Sequence, residues 1–166
     1  MAALSDYLES GLLNHMFRGA SFSKPTNIAI ALTSGVPQDS DTGVSQQNGG
    51  TLPELPSGTS DGKLTGYARL NLGDPSSLGD TYWNHNSDDI SVGSGVLKNA
   101  SSFLFDTGEG SAALVDWGWV SGIAIVDSGE YGTGNLLMWS ALDNPRIIYT
   151  GDTVKFDASS LQISFK

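Results

Sequence analysis

Residues 27–33 read NIAIALT, a stretch in which large and small apolar residues alternate. Successive side chains of a strand point to opposite faces of the sheet, so this period of two predicts a strand. Its larger residues, Ile28, Ile30 and Leu32, should face the core. This stretch therefore predicts a β-sheet, and the rest of the sequence indicates which other strands complete that sheet.

Short strand-like runs follow this stretch, with turn-forming residues between them. They are residues 66–72, 102–105, 117–126, 136–142, 147–150, 153–156 and 161–165. Many short strands at such spacing are typical of antiparallel sandwiches and barrels. A parallel sheet would need helices between its strands, and the sequence offers one only at the N-terminus. We therefore expect a mainly β protein: a jelly-roll-like antiparallel β-sandwich with one N-terminal amphipathic helix and long polar loops.

Residues 5–18 carry the helical pattern. Ser5 is a suitable N-cap, and Gly19 after Arg18 is a suitable stop. Apolar residues form a stripe at helical spacing, and two more lie beside it, which is wider than a single packing face needs. We identify these five residues as candidate assembly contacts: Leu8, Leu12, Leu13, Met16 and Phe17.

The chain is predicted to form a single domain over residues 1–166, with a β domain from 26 to 166. Residues 34–65 and 73–95 are rich in Gly, Ser, Thr, Asp and Pro, and they lack a periodic apolar face. We expect both to be exposed loop excursions. No secretory signal is evident at the N-terminus, and no run is long and apolar enough to cross a membrane, so no membrane association is expected.

Composition narrows the possible functions. The 166 residues include 18 acidic and 8 basic ones, for a net charge of −10, which repels phosphate backbones. We therefore expect no nucleic-acid partner. The chain has no cysteine and two histidines, which excludes thiol catalysis and zinc–thiolate sites and disfavours histidine-based triads.

The one catalytic pattern is weak. Residues 58–62 match G-x-S-x-G around Ser60, with His85 downstream, but that motif needs a strand turning into a helix. Here it lies in a polar loop, so we expect no catalytic residues and no enzyme activity. Acidic clusters at 39–41 and 87–89 do not follow a calcium-loop spacing, and we expect no metal site and no cofactor.

Tryptophans offer a different kind of site. Trp117 and Trp119 share one parity on a predicted strand, so we expect both on the core side. Trp83 lies in a polar stretch and is the candidate exposed aromatic contact. A carbohydrate-binding module that uses Trp83 is therefore an alternative function.

Three stretches resemble a family of small structural proteins of tailed bacteriophages, often labelled tail-fibre or virion proteins. The first runs from Leu4 to Gly19 and continues with Pro25 and residues 28–34. The second is GYAR at residues 66–69. The third comprises residues 116–118, 122–127, 134–137, 141–142 and 151–154. The resemblance implies a structural role without catalysis.

With that resemblance, the sequence predicts a non-enzymatic virion protein, made in the bacterial host cytoplasm. A small acidic domain without fibrous repeats favours a capsid decoration, or cement, subunit on the particle exterior. The alternative is a tail-fibre or baseplate-associated subunit. Its expected partners are the major capsid protein or tail proteins. We also expect a homotrimer, because linked copies gain avidity that one small contact lacks.

Overall fold

A computed structural model describes residues 2–60, 62–83, 96–105 and 113–164. Within them the protein is mainly β, and every strand pair is antiparallel, which confirms the predicted fold class. A five-stranded sheet forms the centre. In order across the sheet its strands are β1 (Ala2–Leu4), β9 (Leu136–Ile148), β8 (Gly118–Val126), β2 (Ile28–Thr33) and β5 (Leu70–Gly73).

The inner strand β2 is buried on both faces. Ile30 and Leu32 point into the larger core cluster, as predicted, whereas Ile28 is half-buried at its margin. Ala29 and Ala31 point into a second cluster on the opposite face. The small residues of the alternating pattern therefore mark a closely covered face, because alanine lets the covering chain approach the sheet.

Short strand pairs pack on the larger core. β6 (Val96–Lys98) pairs with β11 (Gln162–Ser164), and β7 (Phe103–Leu104) pairs with β10 (Lys155–Phe156). Phe103 and Phe105 are buried against the sheet. A third pair, β3 (Thr59–Ser60) with β4 (Lys63–Leu64), is solvent-exposed where its side chains are described. Among the described residues, the strands that pack on the larger core thus form ladders of two or three residue pairs.

The prediction that residues 34–65 form an exposed excursion is wrong in part. The segment has little regular structure, but Leu52 and Leu55 are fully buried, one on each face of the sheet. Its backbone is held by the sheet: the Leu55 N–H donates to the Leu32 carbonyl at 3.0 Å. Two apolar anchors spaced three residues apart are too few to produce a periodic signal, yet they suffice to dock the loop.

A second helix corrects the interpretation of residues 73–95. Helix α2 spans Pro75–Tyr82, and the first helix, α1, spans Asp6–Arg18. Asp74 starts α2, since its Oδ1 accepts the Ser76 N–H at 2.8 Å and proline suits the first helical position. Aspartate followed by proline was thus a usable start signal. Residues 84–95 lie outside the described residues.

The turn expected between the strand-like runs 136–142 and 147–150, at residues 143–145, proves to be a bulge. Gly122 of β8 pairs with Ala141, and Val120 pairs with Arg146, so four residues of β9 stand opposite Ser121 alone. The turn-forming residues Asn144 and Pro145 therefore interrupt the ladder without reversing the chain, and one long strand replaces the two predicted.

Candidate assembly surfaces

Ser5 fixes the start of α1 and ties it to the sheet. Its Oγ accepts the Leu8 N–H at 3.2 Å and donates to the Leu136 carbonyl. Its own N–H donates to the Leu137 carbonyl at 3.0 Å. Ser5 is fully buried, and Gly19 ends the helix with a left-handed φ of 67°. Both predicted helix boundaries are confirmed to within one residue.

The five candidate contacts on α1 divide into two groups. Leu8 is buried and Leu12 is half-buried on a helix that lies against β9, so the protein's own chain covers most of these two side chains. The exposed fractions are 58% for Leu13, 69% for Met16 and 76% for Phe17. These three residues are spaced at i, i+3 and i+4, so they share one side of the helix. We call them the α1 patch.

The chain that follows α1 covers a different side of the helix. Phe22 folds back over Gly11, where an added Cβ atom would clash with its ring, and its ring centroid is 6.1 Å from that of Tyr7. The glycine inside the helix is thus explained by close packing. This return leaves the α1 patch open at the C-terminal end of the helix, beside the exposed Arg18.

An apolar cleft with a volume of about 430 Å³ lies between the central sheet and the short strand pairs. Its floor includes the buried Ile30 and Ile123 of the central sheet. Half-buried side chains line its walls: Trp83, Ile125, Met138, Phe156, Leu161 and Ile163. The exposed Asp143, Ser160 and Gln162 form part of its rim. We call it the interlayer cleft.

Trp83 is placed at a wall of this cleft. Its ring meets Phe103 edge to face, with centroids 5.7 Å apart, and it is half-buried against the larger core cluster. The structure thus gives the predicted aromatic contact residue a packing role on one side. Its remaining surface opens on the interlayer cleft.

Trp119 is the aromatic residue that the sequence pattern placed wrongly. Trp117 is 7% exposed and donates from Nε1 to the Thr65 carbonyl at 2.7 Å, whereas Trp119 is 55% exposed. Gly118 between them has a φ of 77°, which breaks the alternation and sends the two rings to opposite sides. Ile147 of β9 is the strand partner of Trp119. Tyr149, which is 56% exposed, lies two residues after Ile147.

The GYAR stretch has a structural function. Arg69 is buried and donates from Nε and one Nη to the two carboxylate oxygens of Glu54, each at 2.8 Å. Its remaining donors reach four backbone carbonyls in two loops, those of Gly43, Ser128, Glu130 and Thr133. One arginine therefore joins the loop that carries Glu54 to the β8–β9 connection.

Tyr67 completes this buried network. Its hydroxyl accepts the Leu32 N–H at 3.0 Å and donates to Glu54 Oε1 at 3.1 Å. Burial raises the pKa of Tyr67 well above its ordinary value, and the Glu54 charge raises it further. All three side chains are satisfied by one another and by backbone groups, so the cluster stabilises the fold and leaves little bonding capacity for a ligand.

The described residues do not form the catalytic site that the G-x-S-x-G pattern around Ser60 would require. Ser60 lies in the two-residue strand β3, while His85 falls outside the described residues. Neither helix begins directly after β3, as the nucleophile motif requires. In the described part of the chain, no group of three His, Cys, Asp or Glu residues could hold a metal ion.

Comparison with known protein families gives a match that spans almost the whole chain. Residues 3–164 match the family described as Podophage GP4 fiber I protein gp80. The chain belongs to this fibre-protein family. The match includes α1, the GYAR stretch and the β8–β9 pair, and it makes the chain a structural protein of the phage virion. No curated protein matches the chain.

Among the described residues, neither helix has the length and apolar character that crossing a membrane requires.

Proposed function

We propose that this protein is a non-enzymatic subunit of the tail-fibre apparatus, mounted on the virion exterior through the α1 patch. The observation that carries the proposal is the family match, whose description is that of a fibre protein and which spans residues 3–164. That description favours a fibre subunit over the capsid decoration subunit expected from the sequence. A net charge of −10 also suits the outside of a particle packed with DNA.

The α1 patch supports an assembly function. Three large apolar side chains exposed together at the end of one helix are unusual on a monomer surface and typical of a contact with another protein. The helix itself is firmly placed, because Ser5 bonds its first turn to β9. A helix that is fixed to its own domain and carries exposed apolar residues can hold that domain in a defined orientation against a neighbouring virion protein.

Immunolabelling of phage particles tests the location. We expect antibody against this protein to label the tail in negative-stain micrographs. Label confined to the head would overturn the fibre proposal and return the protein to capsid decoration.

Virion incorporation tests the α1 patch. The double variant Leu13→Asp/Phe17→Asp should fold normally, since both residues are exposed, and should be depleted from purified particles about tenfold or more. Leu64→Asp is the matched control, because Leu64 is an exposed leucine, at 59%, on β4 rather than on α1. Incorporation of the double variant at the wild-type level would exclude α1 as the mounting surface.

A saccharide contact is the second candidate function, and the exposure of Trp119 and Tyr149 favours it. Aromatic rings offer flat apolar faces to sugar C–H groups, and Asp116 and Asp152 stand within the same turn region. Titration with neutral hexose polymers should quench or shift the fluorescence of the wild type but not of Trp119→Ala. An unchanged spectrum across those polymers would exclude this function.

A further inference from the structure

The α1 patch and the interlayer cleft are complementary surfaces of the same chain. We propose that the α1 patch of one copy docks in the interlayer cleft of a second copy, which gives a head-to-tail contact between subunits. This inference rests on the proposed function, since it names the first neighbour that the patch contacts.

The protruding half of the contact is Phe17 with Leu13 and Met16. Phe17 is 76% exposed, so it does not lie in the cleft of its own chain. Gly19, in the left-handed conformation, ends the helix two residues later and leaves the Phe17 ring near the helix end. Aromatic residues, including phenylalanine, are enriched in the cores of protein interfaces, so Phe17 is suited to anchor this contact.

The receiving half is the interlayer cleft. Its volume of about 430 Å³ falls within the range of sites that enclose small ligands, so it can admit one aromatic ring with an aliphatic neighbour. Its floor and walls are mostly apolar, with Ile123, Ile125 and Met138 on the sheet side. Burial of Phe17 there would remove apolar surface from water on both partners.

Charge complementarity favours a second copy as the occupant. The chain is strongly acidic, yet the end of α1 carries Arg18 and His15. The cleft rim carries Asp143, and none of the described residues that line the cleft is lysine or arginine. Docking of α1 would therefore place Arg18 beside Asp143, an attraction that opposes the general repulsion between two chains of net charge −10.

The symmetry of the contact follows from its two different halves. A contact between unlike surfaces is heterologous, so it either closes into a ring or continues as a filament. A ring of three copies is the closed form that corresponds to the trimer expected from the sequence. Each copy would then donate one α1 patch and receive another.

Sedimentation equilibrium of the purified full chain tests the contact. Wild type should self-associate at micromolar concentration, and Phe17→Asp should raise the dissociation constant about tenfold or more. Ser140→Trp, which places a bulky ring on the β9 wall of the cleft, should do the same without changing any residue of α1. Leu64→Asp should associate like wild type.

A mixture of the two defective variants separates this geometry from others. Phe17→Asp retains its cleft and Ser140→Trp retains its α1 patch, so the mixture should form one-to-one heterodimers. If the helices paired with each other instead, Ser140→Trp alone would still self-associate at the wild-type level. Either that result or a strictly monomeric wild type would overturn the proposal.

A charge exchange guards against misfolding of the cleft variant, because Arg18 and Asp143 are both exposed. Arg18→Glu and Asp143→Lys should each weaken association, and the double variant should recover it. Failure of the double variant to recover would contradict the proposed pairing.

If wild type is monomeric but the α1 variants are still lost from particles, the proposed function stands and only this inference fails. If the protein self-associates in this way but is absent from particles, the inference stands and the proposed function fails.

Discussion

Arg69 holds Glu54 through two parallel hydrogen bonds, Nε to Oε1 and Nη2 to Oε2, each 2.8 Å long, with both side chains completely buried. Glu54 belongs to the loop before β3, and three of the four carbonyls that Arg69 also binds belong to the connection between β8 and β9. The pair therefore joins segments that local sequence pattern leaves unrelated. The pair serves mainly to fix the positions of these loops, since a buried ion pair contributes little net stability over a well-packed apolar pair.

Removal of one partner should nevertheless be costly. Arg69→Met leaves the Glu54 carboxylate buried and unpaired, so we expect the free energy of unfolding to fall by about 3–5 kcal/mol. Urea denaturation measures this change. Lys155→Met is the matched control: its ion pair with Asp157 is largely exposed and should be worth about 1 kcal/mol or less. A loss in Arg69→Met no larger than that of the control would contradict the buried-pair interpretation.

Tyr67 should make the protein sensitive to alkaline pH. Burial raises its pKa, so the native state keeps the proton while the unfolded chain releases it above about pH 10. Stability from this group is complete below that pH and falls as pH rises, by about 1.4 kcal/mol per pH unit, until the native pKa is reached.

Tyr67→Phe tests this dependence. The variant should be less stable near neutral pH, because the Leu32 N–H and Glu54 lose a partner, but its stability should fall less steeply above about pH 10. Urea denaturation at a series of pH values provides the slope. Tyr149→Phe, at an exposed position, controls for the loss of a hydroxyl. An identical alkaline slope in wild type and Tyr67→Phe would refute the assignment.

Ser5→Ala should weaken the attachment of α1 to the sheet. The substitution removes the cap on the Leu8 N–H and leaves the Leu136 carbonyl without its side-chain donor, so a loss of about 1–2 kcal/mol is expected. Ser34→Ala, which removes an exposed hydroxyl bonded to the Pro53 carbonyl, should change stability by about 0.5 kcal/mol or less. Thermal unfolding compares the two, and equal effects would show that the cap is not special.

Local pattern was enough to predict features whose causes are local. The ends of α1 follow from Ser5 and Gly19, and β2 follows from the alternation around Ile30. The docking of residues 34–65 was beyond such reasoning. It depends on Leu52, Leu55 and Glu54, whose partners lie elsewhere in the chain.

The candidate contact residues likewise divide into those that local sequence pattern predicts and those that it does not. Sequence pattern identified an apolar surface on α1 wider than one packing face, and Leu13, Met16 and Phe17 are indeed exposed. It did not identify the interlayer cleft, because that cleft is made by strands distant in sequence. It also missed Trp119, although the glycine between two tryptophans was a signal that strict alternation would fail.

Gly118 is therefore the position where backbone conformation decides which tryptophan faces solvent. Its φ of 77° is unfavourable for any residue with a side chain, and a Cβ there would meet no atom within 4 Å, so Gly118→Ala isolates the backbone cost. We expect a loss of about 1–2 kcal/mol, and a smaller loss for Gly118→Asn, since asparagine tolerates this conformation better. Gly35→Ala is the control, because its added Cβ would make an ordinary contact with Pro53 at 3.6 Å and no positive φ is involved.

Acrylamide quenching should detect Trp119 as the most accessible tryptophan, so Trp119→Phe should lower the quenching constant and Trp117→Phe should not. If Gly118→Ala is as stable as Gly35→Ala, or if the quenching order is reversed, the two rings are not separated by this glycine.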